Sequence, residues 1–482
     1  MKTNNAYQKV VLSLKLRKKG ATAADVCAAT ALPLSEVREL LPRAADEYSG
    51  HLQVTQSGEI LYTFPGGFTS RYRGFYAAVK KIAEKLSAAA RAVLVFLFKT
   101  WIMVMLIGYF VFFLALAIAS VFISASGKSS DRGRGGGGFG GTNLFGILWR
   151  VWFYTEMTRP RYGYGTVTRN KKEKRPMHRA IFSFVFGESD PNADWEDRES
   201  KAIIAYIQAN RGVISLAEYM AFSGKNSMEA EDAILAFCAR FGGSPEVTEE
   251  GTVVYRFDEL LLRADSKNFT ELSPPVKRLK TFSANSKGMN IAFILINAVN
   301  LIFGSYFLYH SIATGPLVTD FQYKSASYLY GFTHAILGIF TADPAGVIRI
   351  ALGLIPFLFS IFFWLVPTVR RFMENRENES TKLANFKRLG FSKIWSSPNN
   401  VEIGSLVTPA AECRPKNLAD AGDRVIKDLG AISNVEIETG EDGKTLYSFK
   451  ELEKEKNALQ QYRAALDPSR SNLGKTVFDS GE

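Results

Sequence analysis

Asp190, Asn192, Asp194 and Glu196 alternate along 190–196, which is the oxygen-ligand spacing at the start of a calcium loop. Such a loop needs glycine at its sixth place and glutamate at its twelfth, where this chain has Trp195 and Lys201. The segment therefore reads as an acidic turn ahead of a helix, whose N-terminus favours negative charge. The four histidines, His51, His178, His310 and His334, have no second ligand at helical or turn spacing. Cys27 and Cys413 each stand five residues after a hydroxyl residue (Thr22, Thr408), and Met220 holds that place after Ser215. A methionine substitute marks a packed apolar position rather than a redox or metal one, and three cysteines make no disulfide framework. Gly127-Lys128-Ser129 has Phe122 where a phosphate cradle requires glycine. These residues imply no catalytic group, no cofactor and no metal, and thus a chain that is not an enzyme.

The strongest spacing is a repeat. Gly58, Tyr62 and Phe64 recur as Gly251, Tyr255 and Phe257, and more loosely as Gly443, Tyr447 and Phe449. Each glycine precedes its tyrosine by four residues and each phenylalanine follows by two, the pattern of a turn and a hairpin strand. Thr22 and Ser215 stand 40 residues before their tyrosines and Thr408 stands 39 before, each suited to cap a helix. In the first copy, helices are expected over 7–19, 23–29 and 35–48, the last capped by Ser35; in the second, over 199–210, 216–222 and 228–241. Three helices followed by a two-stranded wing resemble a winged helix.

Three apolar runs, 101–123, 289–312 and 346–366, are long enough to cross a hydrocarbon core of about 30 Å. Arg349 is near enough to an end to snorkel, and Pro356 is tolerated inside. The expected fold is mainly α with small β-hairpins: an integral membrane protein with three winged-helix-like (α+β) modules and α-helical transmembrane hairpins. Its divisions are module 1 (1–68); a basic helix, span, Gly-rich loop and short apolar segment (69–158); a basic linker and module 2 (159–262); a transmembrane hairpin (263–372); module 3 (373–450); and a charged C-terminal tail (451–482). Lysine and arginine flank every span on the module side, which places the modules in the cytoplasm of a cell with this protein in its inner membrane. Modules 1 and 2 on one side require an even number of crossings between them. Either 144–154 supplies the return as a short crossing, an interfacial helix or a re-entrant piece, or the run 93–124 bends at Gly108 and returns without crossing. The short apolar piece 328–340 is expected to lie on the membrane surface or dip into it.

The chain carries 59 Lys and Arg against 47 Asp and Glu, a net charge of +12. That charge sits beside the spans, where anionic lipid headgroups attract it at about 1 kcal/mol per residue. The third helices, which would enter a DNA groove, are acidic instead: Glu36, Glu39, Asp46 and Glu47 in one, Glu229, Glu231 and Asp232 in the next, Asp420, Asp423 and Asp428 in the last. Phosphate neutralisation supplies much of DNA affinity, so nucleic acid is disfavoured as a partner. Expected partners are the lipid bilayer, anionic headgroups through juxtamembrane Lys and Arg, and a protein or a second copy.

The run 181–192, Ile-Phe-Ser-Phe-Val-Phe-Gly-Glu-Ser-Asp-Pro-Asn, resembles a stretch in uncharacterised multipass membrane proteins of bacteria and plastids. That resemblance implies architecture and no activity. The reading is a membrane-anchored scaffold or regulatory protein; the alternatives are a membrane-tethered transcription regulator and a small-solute or ion transporter. Cysteine accessibility from both sides at Ser57→Cys, Ser130→Cys, Thr168→Cys and Ser448→Cys tests the topology. Labelling of the middle two from one side refutes a crossing by 144–154.

Overall fold

The computed structural model describes residues 2–17, 20–71, 75–126, 175–264, 272–313, 328–407, 410–439 and 444–481. The Gly-rich loop, the segment 144–154 and Gly443, Ser130, Thr168 and Thr408 lie outside these. The chain opens with α1 (Lys2–Lys15), α2 (Ala23–Thr30) and α3 (Leu34–Tyr48), then the hairpin β1 (His51–Thr55) and β2 (Ile60–Thr63). Thr22 caps α2 in a reciprocal box with Asp25. Ser35 does not cap α3. The helix begins one residue earlier, after Pro33, which leaves Ser35 inside the first turn. One rod follows as α4 (Phe75–Met103), a π turn (Val104–Gly108) and α5 (Tyr109–Ser126). The return at Gly108 is therefore not made: the extra residue is absorbed as a π turn and the helix continues.

Next come α6 (Met177–Phe186), α7 (Trp195–Ala209), β3 (Val213–Ser215), α8 (Leu216–Ser223), α9 (Ser227–Phe241), β4 (Ser244–Val247) and β5 (Val253–Arg256). Ser215 and Glu218 repeat the capping box, and Asn226 caps α9. After α10 (Lys287–Ala313) and α11 (Tyr328–Leu337), a second interrupted rod runs as α12 (Pro344–Val347), a π turn (Ile348–Leu354) and α13 (Ile355–Ser396). The chain ends with α14 (Leu418–Gly430), β6 (Glu436–Thr439), β7 (Thr445–Ser448), α15 (Lys450–Ala465) and β8 (Thr476–Asp479). Among the described residues three helical stretches, Leu86–Val121, Lys287–Ala313 and Pro344–Ser396, are long and apolar enough to cross a membrane.

Contacts divide the chain into two units. The first gathers Met1–Ala83, Asp190–Lys280 and Asn375–Glu482; the second gathers Glu84–Ser189 and Thr281–Glu374. In the first unit every hairpin tyrosine pairs on both sides: Tyr62 with Leu52 and Ala21, Tyr255 with Pro245 and Ile214, Tyr447 with Ile437 and Val401. A short extended piece ahead of the second helical segment thus flanks each hairpin. In the last copy that segment is only a 3-10 turn, Ala411–Cys413, bracketed by Pro409 and Pro415. Proline lacks the N–H and disfavours helix at the residue before it. One apolar core runs through all three segments, including Leu41, Val26, Ile204, Phe241, Phe257, Val425 and Phe449.

The second unit holds α4, α5, α6, α10 and α11, the π turn at 348–354 and the first part of α13. Side chains donate to main-chain carbonyls of the π turns and of the helices beside them. Asn300 Nδ2 donates to Leu106 O at 2.8 Å, and Tyr109 Oη donates to Ala351 O at 2.8 Å. Asn297 Nδ2 donates to Ser360 O at 3.0 Å, and Arg349 reaches Ser311 O at 3.2 Å. Gly304 meets the Phe357 backbone and Gly353 meets Leu308 so closely that an added Cβ would lie 3.0 and 2.9 Å from main-chain atoms. α11 buries Tyr330 beside Phe113 and Phe307.

α6, expected to belong with module 2, packs Phe184 against Phe293 and Phe363 in the second unit. Arg370 closes its C-terminus, donating to Phe184 O at 2.8 Å and Val185 O at 3.2 Å, with Glu374 as its ion partner. Gly187, at φ +84°, leaves the room that this guanidinium fills. Glu188 accepts two bonds from Arg175, at 2.5 and 2.8 Å, and one from Ser183. Chiefly through Arg175, its carboxyl falls from 4.5 to about 2. A depressed folded value contributes stability above the unfolded value and loses it as pH falls. Unfolding followed by circular dichroism should therefore show stability lost as pH falls from 4.5 towards 2, about 1 kcal/mol for so exposed a pair, a loss that Glu188→Gln removes.

Candidate functional site

The hairpin glycines are turn residues: Gly58 and Gly251 have φ of +79° and +85°, with open space where a side chain would be. The aromatic positions face inward. Tyr62 and Tyr255 are buried, Phe257 and Phe449 are fully enclosed, and Phe64 stacks on Phe68 at 4.7 Å. Tyr447 is half-buried. Gly50 and Gly243 each stand 14 residues before the phenylalanine whose ring occupies the space beside them. The signature residues thus position the hairpins. Burial does the same to the thiols. It pushes Cys27 up to about 12 and Cys238 up to about 11, which suppresses the thiolate.

The segment 451–482, read as a charged C-terminal tail, folds into an arm across the first unit. Leu452, Ala458 and Leu459 of α15 are buried, and Leu459 sits with Val213 and Val254 on the β3–β5 sheet. In sequence that stripe is narrow and lies within a Lys- and Glu-rich run. Arg463 forms a forked pair with Glu218 at 3.0 and 2.6 Å, and also donates to Val213 O at 2.7 Å. Glu218 is 1% exposed, and Tyr206 Oη donates to it at 2.6 Å. Arg211 donates to the carbonyls of Arg463, Ala464 and Leu466 at the end of α15. Arg470 then reaches Asp258 at 2.7 Å, and Tyr462 donates to Glu246.

The arm ends as β8, which pairs antiparallel with β1 to give the order β2-β1-β8. Gln53 lies opposite Asp479 and Val54 opposite Phe478, and Gln53 Nε2 donates to Asp479 at 2.7 Å. Val477 and Phe478 remain 69% and 59% exposed, so main-chain pairing rather than side-chain burial holds the strand. The outer edge of β1 is thus taken by the chain itself.

A second arrangement reads main chain through asparagine. Three side-chain amides each make two bonds to the extended segment 277–280. Asn385 holds Lys277 N and O at 2.9 and 2.8 Å, Asn192 holds Arg278 at 2.9 and 2.7 Å, and Asn378 holds Lys280 at 2.8 and 2.9 Å. Asn378 and Asn385 stand seven apart on α13, which places both on one helix face. Lys277, Arg388 and Arg198 surround the Trp195 ring at 5.0, 4.5 and 5.3 Å, and Arg388 pairs with Glu199 at 3.0 Å. The acidic turn therefore serves in a peptide clamp: Asn192 grips Arg278, while Asp190 and Glu377 face Lys280.

The acidic third helices keep most of their carboxylates in solvent: Glu39 and Asp46 on α3, Glu229, Glu231 and Asp232 on α9, Asp420 and Asp423 on α14. Among the described residues no three of His, Cys, Asp and Glu gather as a metal set.

The chain is similar to an uncharacterised chloroplastic protein of Arabidopsis thaliana, 25% identical over 401 residues, which is 78% of this chain and 70% of the relative. No family model and no solved structure matches the chain significantly. Of the resemblance seen at 181–192, the plastid side is what this relative carries.

Removing Arg463 leaves Glu218 charged, buried and unopposed. Arg463→Ala is expected to cost about 3–5 kcal/mol in thermal unfolding and to speed limited proteolysis between 466 and 475. Wild-type cleavage rates there would show that the pair does not anchor the arm.

Proposed function

We propose that the chain is a non-enzymatic scaffold anchored in the membrane by its apolar helices. In this reading its three hairpin-bearing segments are winged-helix-like modules that bind protein partners. The helix–strand–helix–helix–hairpin order of the first two segments and the doubly paired tyrosines support the module reading. The observation that carries the interaction reading is the β1–β8 pairing. A wing edge takes an extended strand through its backbone, with little side-chain burial, and this is how strand addition recognises a partner. Exposed acidic third helices favour a basic protein surface over DNA. Basic residues such as Lys287, Arg371 and Arg376, exposed near the ends of apolar helices, suit anionic headgroups. A cytoplasmic face of an inner membrane follows from that charge asymmetry.

Affinity purification from detergent-solubilised native membranes tests this, comparing the full chain with one lacking 474–482. The expected result is a specific protein partner whose recovery changes several-fold when the β1 edge is opened. Equal recovery from both chains removes the strand-edge reading, and enrichment of a specific DNA fragment replaces the scaffold with a tethered regulator.

A further inference from the structure

The three hairpins differ in what their outer edges can accept. Tyr62 exchanges both main-chain bonds with Ala21, and Tyr447 exchanges both with Val401. Phe257 N donates to Gly212 O, so Tyr255, two residues back, turns the same way towards β3. In an antiparallel pair, the residue opposite such a tyrosine points its own N–H and C=O at the outer edge. Leu52 stands opposite Tyr62, and the arm uses both its groups. Ser480 N donates to Leu52 O at 3.0 Å, and Leu52 N donates to Ser480 Oγ at 2.9 Å. Opposite Tyr255 stands Pro245, which has no N–H to offer. Opposite Tyr447 stands Ile437, 66% exposed, and among the described residues no strand pairs with β6 on that side. The first edge is filled, the second lacks a donor and the third is open.

We propose that the outer edge of β6 docks an extended peptide segment in which basic and apolar residues alternate. The proposal rests on the reading of the hairpins as protein-binding wings, and names the wing and its ligand. An exposed edge strand with outward N–H and C=O groups is a template for a further strand. β8 shows the mode on the corresponding edge of the first hairpin. Side chains alternate across a strand, so Glu436 and Glu438 share one face and Ile437 takes the other. The glutamate face borders a groove of about 430 Å³ between the hairpin and α15, where Glu436, Glu438 and Glu453 outnumber Lys450 and Lys454. Lys450 pairs with Glu436 at 2.5 Å, and Asn399 donates to Glu453 at 3.0 Å. Glu438 makes no such contact among the described residues. A strand bonded to Ile437 would set its flanking residues opposite Glu436 and Glu438 as closely spaced, non-hydrogen-bonded pairs. Lysine or arginine there gains opposite-charge pairing, and a β-branched residue between them covers Ile437.

The test uses the full chain in neutral detergent micelles and the fluorescein-labelled peptide Thr-Val-Lys-Val-Lys-Val-Thr, followed by fluorescence anisotropy. Saturable binding is expected. Ile437→Pro should weaken it about tenfold, the worth of a lost main-chain hydrogen bond, and N-methylation of the valine between the lysines should do the same. The outward position of Ile437 spares the β6–β7 bonds, so this variant should fold. Glu438→Lys decides the matter if it does not. That change should weaken the lysine peptide several-fold and strengthen its glutamate counterpart, Thr-Val-Glu-Val-Glu-Val-Thr. Absence of saturable binding overturns the proposal. So does full affinity in Ile437→Pro, the result for a peptide held by charge alone or seated on β1 in place of β8. Unchanged peptide preference in Glu438→Lys overturns it as well. A partner whose recovery depends on 474–482, with no peptide bound at β6, leaves the wing reading standing and removes the β6 site.

Discussion

Backbone polar groups that leave helix and sheet must find partners, and in this chain asparagine side chains supply many of them. Asn192, Asn378 and Asn385 pair with the extended segment 277–280 as a neighbouring strand would. Asn297 and Asn300 do the same for carbonyls among the apolar helices. An amide offers a donor and an acceptor at the spacing of a peptide group, so it can replace one without adding charge. An unpaired buried group costs about 1–3 kcal/mol, which makes each amide a condition for the local path of the chain.

The same demand explains the arm. β1 presents an open edge, and β8 closes it from more than 400 residues away in sequence. The route there depends on Arg463 and Glu218. Glu218 already belongs to the capping box at Ser215, so one carboxylate starts α8, receives Tyr206 and anchors the arm. A reading of the helices alone sees only the cap.

Much of the first unit was legible because short-range chemistry governs it. Gly58 and Gly251 need positive φ, and their turns follow; Thr22 and Ser215 cap as hydroxyl residues ahead of Asp and Glu do. The long apolar runs announced helices able to cross a membrane, because length and hydropathy are local properties. The candidate site was less legible. Asn378 and Asn385 look like polar residues on a charged helix, and nothing in their spacing names residues a hundred positions away as partners. The arm was hidden by composition: the stripe Leu452, Ala458 and Leu459 is narrow, and Glu and Lys surround it.

The turns, the caps, the apolar helices and the recurrence of Gly, Tyr and Phe were set locally, since each depends on residues within a few turns of one another. Tertiary structure decided the rest. It assigned α6 to the apolar helices through Arg370 and Phe184, turned a suspected bend at Gly108 into a π turn, and made a tail into a strand. Each outcome depended on which distant donor, acceptor or apolar face was within reach, and pairing across hundreds of residues leaves no mark in the local pattern.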